Sequence, residues 1–533
     1  MNVTQLIIPE LTLLAAAALL FLMGGSNAPK TRLLAPVVAL LAMVGALVAS
    51  LIGQRTGVRM DDTGSLAVTA LSVYIKSISI GVGALFVLLA WPTSRDGASN
   101  RSISFSTETS EYFALLLLAI TGMCVVASAN SLPTLFLGIE LASIPTYIMV
   151  TMSRPHQQAQ EAGVKYFFLG ALSAAMMLLG MSYLFGVTGE MRLDHIIDVL
   201  RRPADGPGIG GSLLMLAVLL MMMSFLFKLA AVPLHFYAGD VYQGAATPVT
   251  AAISFIPKIA GMTALIKLLY VAGAGTWALD PKLMKLVWII AVLTMTVGNV
   301  LGLLQYNVKR VLAYSSIAHS GYLLVGLATL VHVKAPEQRG DALAAIAFYM
   351  LAYGVMNVAV FGVLMLLPAK VPAPARTAET YDDLAGAGWR HPVLGVVMAL
   401  GCFSLIGIPA TAGFFGKLYL LKPAIQSGNT ALVWLAVLTM INAAISAGYY
   451  LKIVTAMWSK SDGAGTEAIR DTAHDSAYDL GHQAPATERS VPVLAAIALS
   501  AAGILAAGIV FPLTGAIYRA AASATAWLAD GPR

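Results

Sequence analysis

Charged residues are scarce in this sequence. Lys, Arg, Asp and Glu make up 11% of its 533 residues, hydrophobic residues make up 58%, and the mean hydropathy is +0.81. Soluble domains carry about 25% charged residues, so this composition excludes an ordinary soluble protein and indicates an integral membrane protein. The net charge of +6 comes without a basic run or an aromatic-interleaved patch, which argues against nucleic acid as a partner.

Cysteine is nearly absent. Cys124 and Cys402 lie in separate apolar runs, and no CxxC or His/Cys spacing could bind zinc, haem or an iron–sulfur cluster. The stretch "GFFGKL" ends like a phosphate-binding loop but lacks its Ser/Thr and its spacing. No Ser-His-Asp set is recognisable. We therefore expect no metal, cofactor or redox centre in this chain.

Long apolar runs, by contrast, recur from end to end. Each is roughly 18 residues or longer, enough for a helix to cross about 30 Å of hydrocarbon, and we count about fourteen. They lie near 5–23, 33–53, 66–91, 112–129, 131–151, 163–187, 212–243, 247–273, 284–304, 311–331, 342–367, 392–423, 431–458 and 491–515. The first run lacks the cleavage site of a secretory signal, so we interpret it as a retained helix. The sequence thus predicts an all-α polytopic membrane protein.

The polar connections are short by comparison. The longest are 92–111, 188–211, 368–391 and 459–490. The last is rich in Gly, Ala, Asp and Ser, which predicts a mobile loop, and 193–200 is predicted to form a short interfacial helix. Lys and Arg are shared almost equally between the two sides, so the positive-inside rule does not decide the orientation.

Two apolar segments contain a proline near the middle. Pro233 lies in segment 7 and Pro409 in segment 12, five segments later. A five-helix unit repeated once must reverse its orientation, and broken helices in such inverted repeats mark the ion or substrate path. We predict broken helices 7 and 12 within two inverted repeats. The predicted organisation is 1–110 for flanking helices 1 to 3, 111–273 for repeat 1, 284–458 for repeat 2, and 459–533 for the polar loop with helix 14.

Several ionisable residues lie inside apolar segments, where each costs about 2.5 to 3.5 kcal/mol on insertion scales. The candidates are Glu140, Lys165, Lys228, Lys258 and Lys417, and their polar partners are His235, His319, Ser315, Ser316 and Tyr314. Lys228 and Lys258 lie too far from segment ends to reach the interface. For these two, and for Lys417, we favour a buried functional role over an incidental salt bridge. Lys267 is more simply explained as a lysine near a segment end whose long side chain places its charge at the membrane interface. Lys165 fits this interpretation and a buried functional role equally well. For Lys76 we expect a lipid-facing or inter-subunit contact.

Lys228 and His235 flank Pro233. A regular helix would place them on one face, about 10 Å apart. Proline removes a hydrogen bond between them and frees carbonyl groups for water or a protonated side chain. The spacing therefore indicates a hydrated proton step. Glu140 is either the structural partner of a lysine or part of a proton path, and His319 alone is more simply a satisfied polar residue in a helix bundle.

Several motifs resemble the proton-translocating antiporter-like family. They are "LGIELASIPTY", "EAGVKYFFLGALSAAMMLLGMSYLFGVTG", "FKLAAVPLHFYAGDVYQGAATPVTAAI", "NVKRVLAYSSIAHSGYLLVG", "GIPATAGFFGKLYL" and "GYYLKI", and together they span roughly 110 to 455. "LGIELASIP" and "YYLK" most resemble the N-type members in bacterial NADH:quinone oxidoreductase, respiratory complex I. Lys417 stands where M-type members carry glutamate, and the chain stops before the long lateral helix of L-type members.

The resemblance implies a function as well as a fold. It implies proton translocation involving Glu140, Lys165, Lys228, Lys258 and Lys417, with His235 and His319 as relays. It implies partners in the membrane arm, namely an M-type neighbour, small subunits and the lateral helix of an L-type subunit, besides lipid. FMN, iron–sulfur clusters and quinone are expected in partner subunits, and the location is the bacterial inner membrane.

A desolvated lysine binds its proton less tightly, and a nearby carboxylate restores the affinity. We hypothesise that Glu140 and Lys165 form such a switch, with protons then passing Lys228 and Lys258 toward Lys417. Three alternatives remain open: a subunit of a multi-subunit cation/proton antiporter or related hydrogenase, a structural scaffold whose charges only pin helices together, and a stand-alone solute transporter. Sodium as the coupled ion also remains open.

Overall fold

The protein is almost entirely helical. The structure is a computed structural model that describes residues 3–25, 29–52, 59–92, 109–154, 157–202, 209–367, 378–459 and 490–530. Its helices, in chain order, are α1 Val3–Leu6, α2 Ile8–Gly24, α3 Pro29–Ile52, α4 Ala70–Leu89, α5 Thr109–Ser128, α6 Leu132–Met152, α7 Gln157–Thr188, α8 Leu193–Arg201, α9 Ile209–Lys228, α10 Ala238–Gly244, α11 Thr247–Ala272, α12 Pro281–Leu303, α13 Val308–His332, α14 Pro336–Leu366, α15 Tyr381–Leu384, α16 Ala387–Arg390, α17 Pro392–Ile406, α18 Ala412–Gln426, α19 Thr430–Trp458, α20 Val491–Ile509 and α21 Phe511–Asp530.

Strand structure is confined, within the described ranges, to one small antiparallel pair. It consists of β1 Arg59–Met60 and β2 Ala67–Val68, in the connection between α3 and α4. The short helix predicted at 193–200 is present as α8. The predicted mobile loop 459–490 lies, apart from its first and last residues, outside the described residues.

The prediction of an all-α polytopic membrane protein is confirmed. In the described part of the chain, 12 helices are long and apolar enough to cross a membrane. Shorter apolar helices are α2 and α17, and α17 is continued by α18 beyond a break. The predicted number of about fourteen spans and the inverted symmetry of the two five-helix units remain predictions, as do the four domain ranges.

Both proline-containing segments are broken where the sequence predicted. Segment 7 divides into α9 and α10, and segment 12 divides into α17 and α18. Left-handed φ angles occur at both breaks, 52° at Ala230 in the first and 93° at Gly407 and 67° at Ala410 in the second. Such angles end a right-handed helix, and they leave backbone carbonyl groups without helical partners.

The last predicted segment, 491–515, needs correction because it is also broken. Helix α20 ends at Ile509 and α21 begins at Phe511. Pro512 has no N–H to donate to the carbonyl of Gly508, and the carbonyl of Ala507 accepts from the Thr514 hydroxyl at 2.6 Å. A Cβ on Gly508 would lie 2.2 Å from the carbonyl oxygen of Ala410. This third break therefore packs directly against the break in segment 12.

Burial separates central from peripheral helices. Nearly every side chain of α11, α13 and α14 is buried. In contrast, α7 and α19 expose large apolar side chains, for example Phe168 and Met440. In a membrane protein such exposed apolar surface is suited to lipid or to neighbouring subunits.

A buried charge cluster joins four chain segments at one end of the bundle. Glu379 Oε1 lies 2.7 Å from Nη1 of Arg154, beyond the end of α6, and 3.4 Å from Nζ of Lys309 in the first turn of α13. Lys309 Nζ also donates to the carbonyls of Gln243 and Ala245 at the end of α10. Burial alone would raise the pKa of Glu379, but the charges of Lys309 and Arg154 outweigh it and lower that pKa below its ordinary value.

Replacing Glu379 by Gln should destabilise the protein by about 3 kcal/mol near neutral pH, because two buried cations lose their carboxylate. A lowered folded-state pKa gives stability that is complete above the ordinary glutamate pKa of about 4.3 and is lost as the pH falls through the lower folded value. The difference in thermal unfolding between wild type and Glu379→Gln should therefore shrink below about pH 4. The exposed Glu337→Gln is the matched control, and a difference independent of pH would contradict the assignment.

Candidate functional site

A buried ion pair lies where the first half of broken helix 7 ends. Lys228 is the last residue of α9, and its Nζ lies 3.3 Å from Oε1 of Glu140 on α6. The side chain of Lys228 is 2% exposed and that of Glu140 is 13% exposed. Lys228 Nζ also donates to the hydroxyl of Tyr147 at 3.0 Å. Two of the residues predicted from the sequence are thus in contact, at the edge of a helix break.

The structure corrects the predicted pairing of Glu140 with Lys165. Lys165 Nζ lies 2.7 Å from Glu161 and 3.0 Å from Asp240, and its side chain is 44% exposed. The reason is the orientation of α7, which directs Lys165 toward α10 at the end of the bundle. Asp240 in turn accepts from Nη1 of Arg310 at 2.7 Å, so Lys165 is linked to α13 by a carboxylate that the sequence analysis did not single out.

The backbone of the first break is satisfied by side chains of neighbouring helices. The Ser320 hydroxyl on α13 donates to the carbonyl of Leu229 at 2.6 Å, and the Val232 N–H donates to the Thr294 hydroxyl on α12 at 3.1 Å. His235 lies in the break and is half-buried, and its Nδ1 is buried without a hydrogen-bond partner among the described residues. The regular helix assumed for the spacing of Lys228 and His235 is absent, since α9 has already ended.

Lys258 is buried in the centre of α11. Its Nζ donates to the Ser316 carbonyl and, at 2.6 Å, to the Ser320 hydroxyl, and it lies 5.5 Å from the ring centre of Tyr353. No ion pair of Lys258 is found within the described ranges. Because Ser320 contacts both Lys258 and the carbonyl of Leu229, one hydroxyl joins this lysine to the break that follows Lys228.

His319 is buried among tyrosines. Its Nδ1 lies 2.7 Å from the hydroxyl of Tyr349, and its Nε2 lies 3.2 Å from the hydroxyl of Tyr450, which also contacts Ser315. Both ring nitrogens therefore have hydroxyl partners that can donate or accept a proton. These two contacts suit a buried histidine whose polar atoms are all hydrogen-bonded. They suit a proton relay equally well, because a relay would use the same two contacts.

Lys417 binds the end of the helix half that precedes it. Its Nζ donates to the carbonyls of Leu405 at 2.9 Å and Ile406 at 2.6 Å, the last residues of α17. These carbonyls have no helical partners because of the break, and a cation there is favoured by the helix dipole. The ammonium group also lies 4.7 Å from the ring centre of Tyr322.

The structure also corrects the expectation for Lys76. Its side chain is 2% exposed, and its Nζ lies 2.7 Å from Oε1 of Glu10 on α2, a residue that the sequence analysis left unassigned. Helix α2 packs against α3 and α5, and α3 packs against α4 and α5, so Lys76 lies inside the bundle rather than on a surface for lipid or another subunit. Lys267 extends to the end of α5, where its Nζ donates to the carbonyls of Ala127 and Ala129.

For some contacts that the sequence analysis missed, the spacing of the residues along a helix gives an indication. Tyr147 follows Glu140 by seven residues, or two turns, on the same face of α6. Ser320 follows Ser316, which the sequence analysis already names, by four residues on the same face of α13. Glu10, by contrast, precedes Lys76 by a long stretch of sequence, and no helical spacing links them. Among the described residues, no three His, Cys, Asp or Glu side chains form a group that could bind a metal ion.

Comparison with known proteins identifies the family. The family model described as NADH:quinone oxidoreductase/Mrp antiporter, TM, matches residues 129–443. NADH-quinone oxidoreductase subunit N of Trichlorobacter lovleyi is 36% identical over 506 residues, covering 95% of this chain and 94% of the relative. NADH-quinone oxidoreductase subunit N 1 of Solibacter usitatus is 36% identical over 451 residues, covering 84% of this chain and 82% of the relative.

Solved structures agree with the sequence relatives. A chain of respiratory complex I from Thermus thermophilus with bound aureothin has a TM-score of 0.69 at 28% identity, with 95% of this chain and 98% of that chain covered. A chain of the Mrp complex from Dietzia sp. DQ12-45-1b has a TM-score of 0.75 at 18% identity, with 97% of each chain covered, and shares the fold. The chain therefore belongs to the NADH:quinone oxidoreductase/Mrp antiporter transmembrane family, together with the relatives named NADH-quinone oxidoreductase subunit N.

Proposed function

We propose that this chain is a membrane-arm subunit, of the N type, of an NADH:quinone oxidoreductase, and that it translocates protons. Electron transfer from NADH to quinone in other subunits supplies the driving force. The observation that carries the proposal is the buried contact of Glu140 with Lys228 at a helix break. Burying a charge pair in a helix bundle of low dielectric constant costs free energy. The pair lies beside backbone groups that the helix break leaves without helical partners, and these polar surroundings suit proton transfer.

The pair acts as an electrostatic switch. At an effective dielectric constant near 20, two unit charges interact by about 4 kcal/mol at 4 Å and about 2 kcal/mol at 8 Å. Separating Glu140 from Lys228 by a few ångströms therefore changes proton binding at the lysine more than tenfold. Tyr147, which accepts from Lys228, is positioned to stabilise the ammonium group when the carboxylate moves away. Conformational changes of neighbouring subunits would set the separation.

From Lys228 the proton path continues across the first break. Ser320 joins the Leu229 carbonyl to Lys258. His319, one residue before Ser320, contacts the hydroxyls of Tyr349 and Tyr450. Lys417, at the second break, ends the path. Water supplies the remaining hydrogen bonds, and His235 contacts that water through its unpartnered Nδ1.

The proposal extends to the assembly. We infer that FMN, the iron–sulfur clusters and the quinone site belong to partner subunits rather than to this chain. Its neighbours are an M-type antiporter-like subunit, small membrane subunits and the lateral helix of an L-type subunit, within the bacterial inner membrane. Relatives named subunit N support this assignment over that of a cation/proton antiporter.

Purification of the tagged chain from native membranes in mild detergent tests the assembly. Mass spectrometry should identify flavin-binding and iron–sulfur subunits together with a quinone-binding subunit. Recovery of small antiporter subunits alone would favour a cation/proton exchanger and would contradict the proposal.

Replacing Lys228 by Ala tests the proton path. We expect proton translocation per NADH oxidised to fall about tenfold or more in proteoliposomes, because the proton carrier is lost. Loss of the buried partner of Glu140 also lowers the amount of assembled complex, so translocation is compared per NADH oxidised by the complex that assembles. The exposed Lys285→Ala is the control for loss of a lysine. Full translocation in Lys228→Ala would refute the path, and loss of assembly before loss of translocation would favour a scaffold.

A double-mutant cycle tests the pairing found in the structure. Glu140→Gln combined with Lys228→Ala should lower translocation no further than the single changes, because contacting residues are coupled. Glu140→Gln combined with Lys165→Ala should give nearly additive effects, since Lys165 pairs with Glu161 and Asp240 instead. Strong coupling of Glu140 to Lys165 with weak coupling to Lys228 would contradict the Glu140–Lys228 pairing. It would support the Glu140–Lys165 pairing expected from the sequence.

A further inference from the structure

Tyr322 on α13 lies between two groups of the proposed proton path. The ammonium group of Lys417 lies 4.7 Å from the centre of its ring, and the ring of His319 meets it edge-on with ring centres 5.4 Å apart. His319 precedes Tyr322 by three residues, so the two side chains are neighbours on one face of α13. Tyr322 is 1% exposed. The path described above uses Lys417 and His319 but gives Tyr322 no role.

The hydroxyl of Tyr322, at the far end of its ring, is bound by Asn299 on α12. Asn299 Nδ2 donates to this hydroxyl at 3.1 Å, and Asn299 is fully buried. The other end of the ring is attached to the backbone of α13, a helix that is buried along nearly its whole length. The ring is therefore held at both ends, and turning it away from Lys417 would break the hydrogen bond to Asn299.

Two residues of α19 fix the amide group of Asn299 in turn. The Tyr449 hydroxyl donates to Asn299 Oδ1 at 2.9 Å, and Asn299 Nδ2 donates to Asn442 Oδ1 at 3.2 Å. Asn442 is itself held by two further hydrogen bonds from its Nδ2. The amide of Asn299 thus uses its oxygen and both of its hydrogens, and these contacts fix the orientation in which it faces Tyr322.

Asn299 does not carry the proton itself. Side-chain amides neither gain nor lose a proton near neutral pH, so Asn299 can act only by holding other side chains in place. Those side chains lie next to the path. Tyr449 is adjacent to Tyr450, with ring centres 4.5 Å apart, and the Tyr450 hydroxyl lies 3.2 Å from Nε2 of His319.

The ring of Tyr322 supplies a contact that Lys417 has nowhere else. The hydrogen bonds of Lys417 go to the carbonyls of Leu405 and Ile406, and within the described ranges it has no carboxylate partner. An aromatic ring attracts a cation, and the attraction is stronger where water is excluded. Loss of such a contact changes the equilibrium between the charged and the neutral lysine by about threefold to thirtyfold.

We propose that Tyr322 is a positioning residue for proton transfer at Lys417, and that Asn299 holds it in place. The ring stabilises the ammonium group beside the second break, and the hydrogen bond from Asn299 keeps the ring there. Neither residue gains or loses a proton, since the proton arrives on Lys417 and leaves from it. The inference rests on the proposed proton translocation, and it adds the side chains that hold Lys417 in its charged state.

The simpler role of this network is to hold α12, α13 and α19 together. The two roles differ in which amide matters. For helix packing, Asn299 and Asn442 contribute in the same way, because each is buried and each loses its hydrogen bonds when leucine replaces it. For the position of Tyr322 only Asn299 matters, since Asn442 makes no hydrogen bond to Tyr322 in the described part of the chain.

The first test removes the ring, and then only its hydroxyl, within the whole complex. Tyr322→Leu should lower the rate of proton translocation per assembled complex in proteoliposomes by about threefold to thirtyfold, because Lys417 loses its aromatic contact. Tyr322→Phe keeps the ring but loses its bond to Asn299, so we expect a smaller loss, which is a partial rescue. A wild-type rate in Tyr322→Leu would overturn the proposal. A wild-type rate in Tyr322→Phe would show that packing alone holds the ring, and would overturn it as well. If Tyr322→Leu does not assemble, Tyr322→Phe decides.

The second test replaces the two amides one at a time. Asn299→Leu should lower the translocation rate per assembled complex as much as Tyr322→Phe does. The two changes combined should lower it no further, because each alone removes the hydrogen bond between the two residues. Asn442→Leu is the matched control, since it removes a buried amide of the same network and lowers assembly similarly, yet its rate per assembled complex should stay at the wild-type level. Equal rates in the two asparagine variants, or additive losses in the combined variant, would overturn the proposal.

These outcomes are separate from those of the main path. Lys228→Ala tests proton translocation by this chain, whereas the Tyr322, Asn299 and Asn442 variants leave the Glu140–Lys228 contact unchanged. Loss of translocation in Lys228→Ala together with a wild-type rate in Tyr322→Phe would retain the proposed function and reject the positioning role. Normal translocation in Lys228→Ala would reject the function itself.

Discussion

The free energy of burying positive charge among apolar helices constrains the centre of this protein. Three lysines are nearly inaccessible to solvent, namely Lys228, Lys258 and Lys417. The ammonium group of each is stabilised by different partners. Lys228 contacts a carboxylate, Lys258 contacts a carbonyl and a hydroxyl, and Lys417 contacts two carbonyls at a helix end. Only the first is an ion pair. The other two depend on backbone and hydroxyl oxygens.

The helix breaks and the buried lysines are therefore parts of one arrangement. A continuous helix uses all its carbonyl groups internally, and it would offer Lys417 nothing to bind. The break after Ile406 leaves carbonyls free, and Lys417 binds them from the following half-helix. At the other break, the Leu229 carbonyl accepts from Ser320, which also binds Lys258. Removing the second break would leave Lys417 without its acceptors, and removing the first would leave the Ser320 hydroxyl without the Leu229 carbonyl.

The sequence predicts these breaks well but predicts side-chain partners poorly. Pro233 and Pro409 interrupt the helix at their own positions, so the two breaks can be predicted from the local sequence. The partner of Glu140 depends on how α6, α7 and α9 are rotated about their axes, and near-uniform apolar helices carry little periodicity to fix that rotation. Because this rotation could not be predicted, the contact of Lys76 with Glu10 was not predicted either. The break at Val510 was missed because an apolar run continues on both sides of it.

The two carboxylate–lysine pairs share their chemistry but differ in their surroundings. Glu140 and Lys228 lie beside a break, where backbone groups and Tyr147 surround the charges with hydrogen-bonding atoms. Glu10 lies in the first turn of α2, and Lys76 lies inside the unbroken α4, so the carbonyl groups around Lys76 are satisfied within that helix. A proton route at the second pair would need hydrogen-bonding groups of the kind found beside the first. A pair with charge alone, and without such groups, would hold helices together but would have no route for a proton.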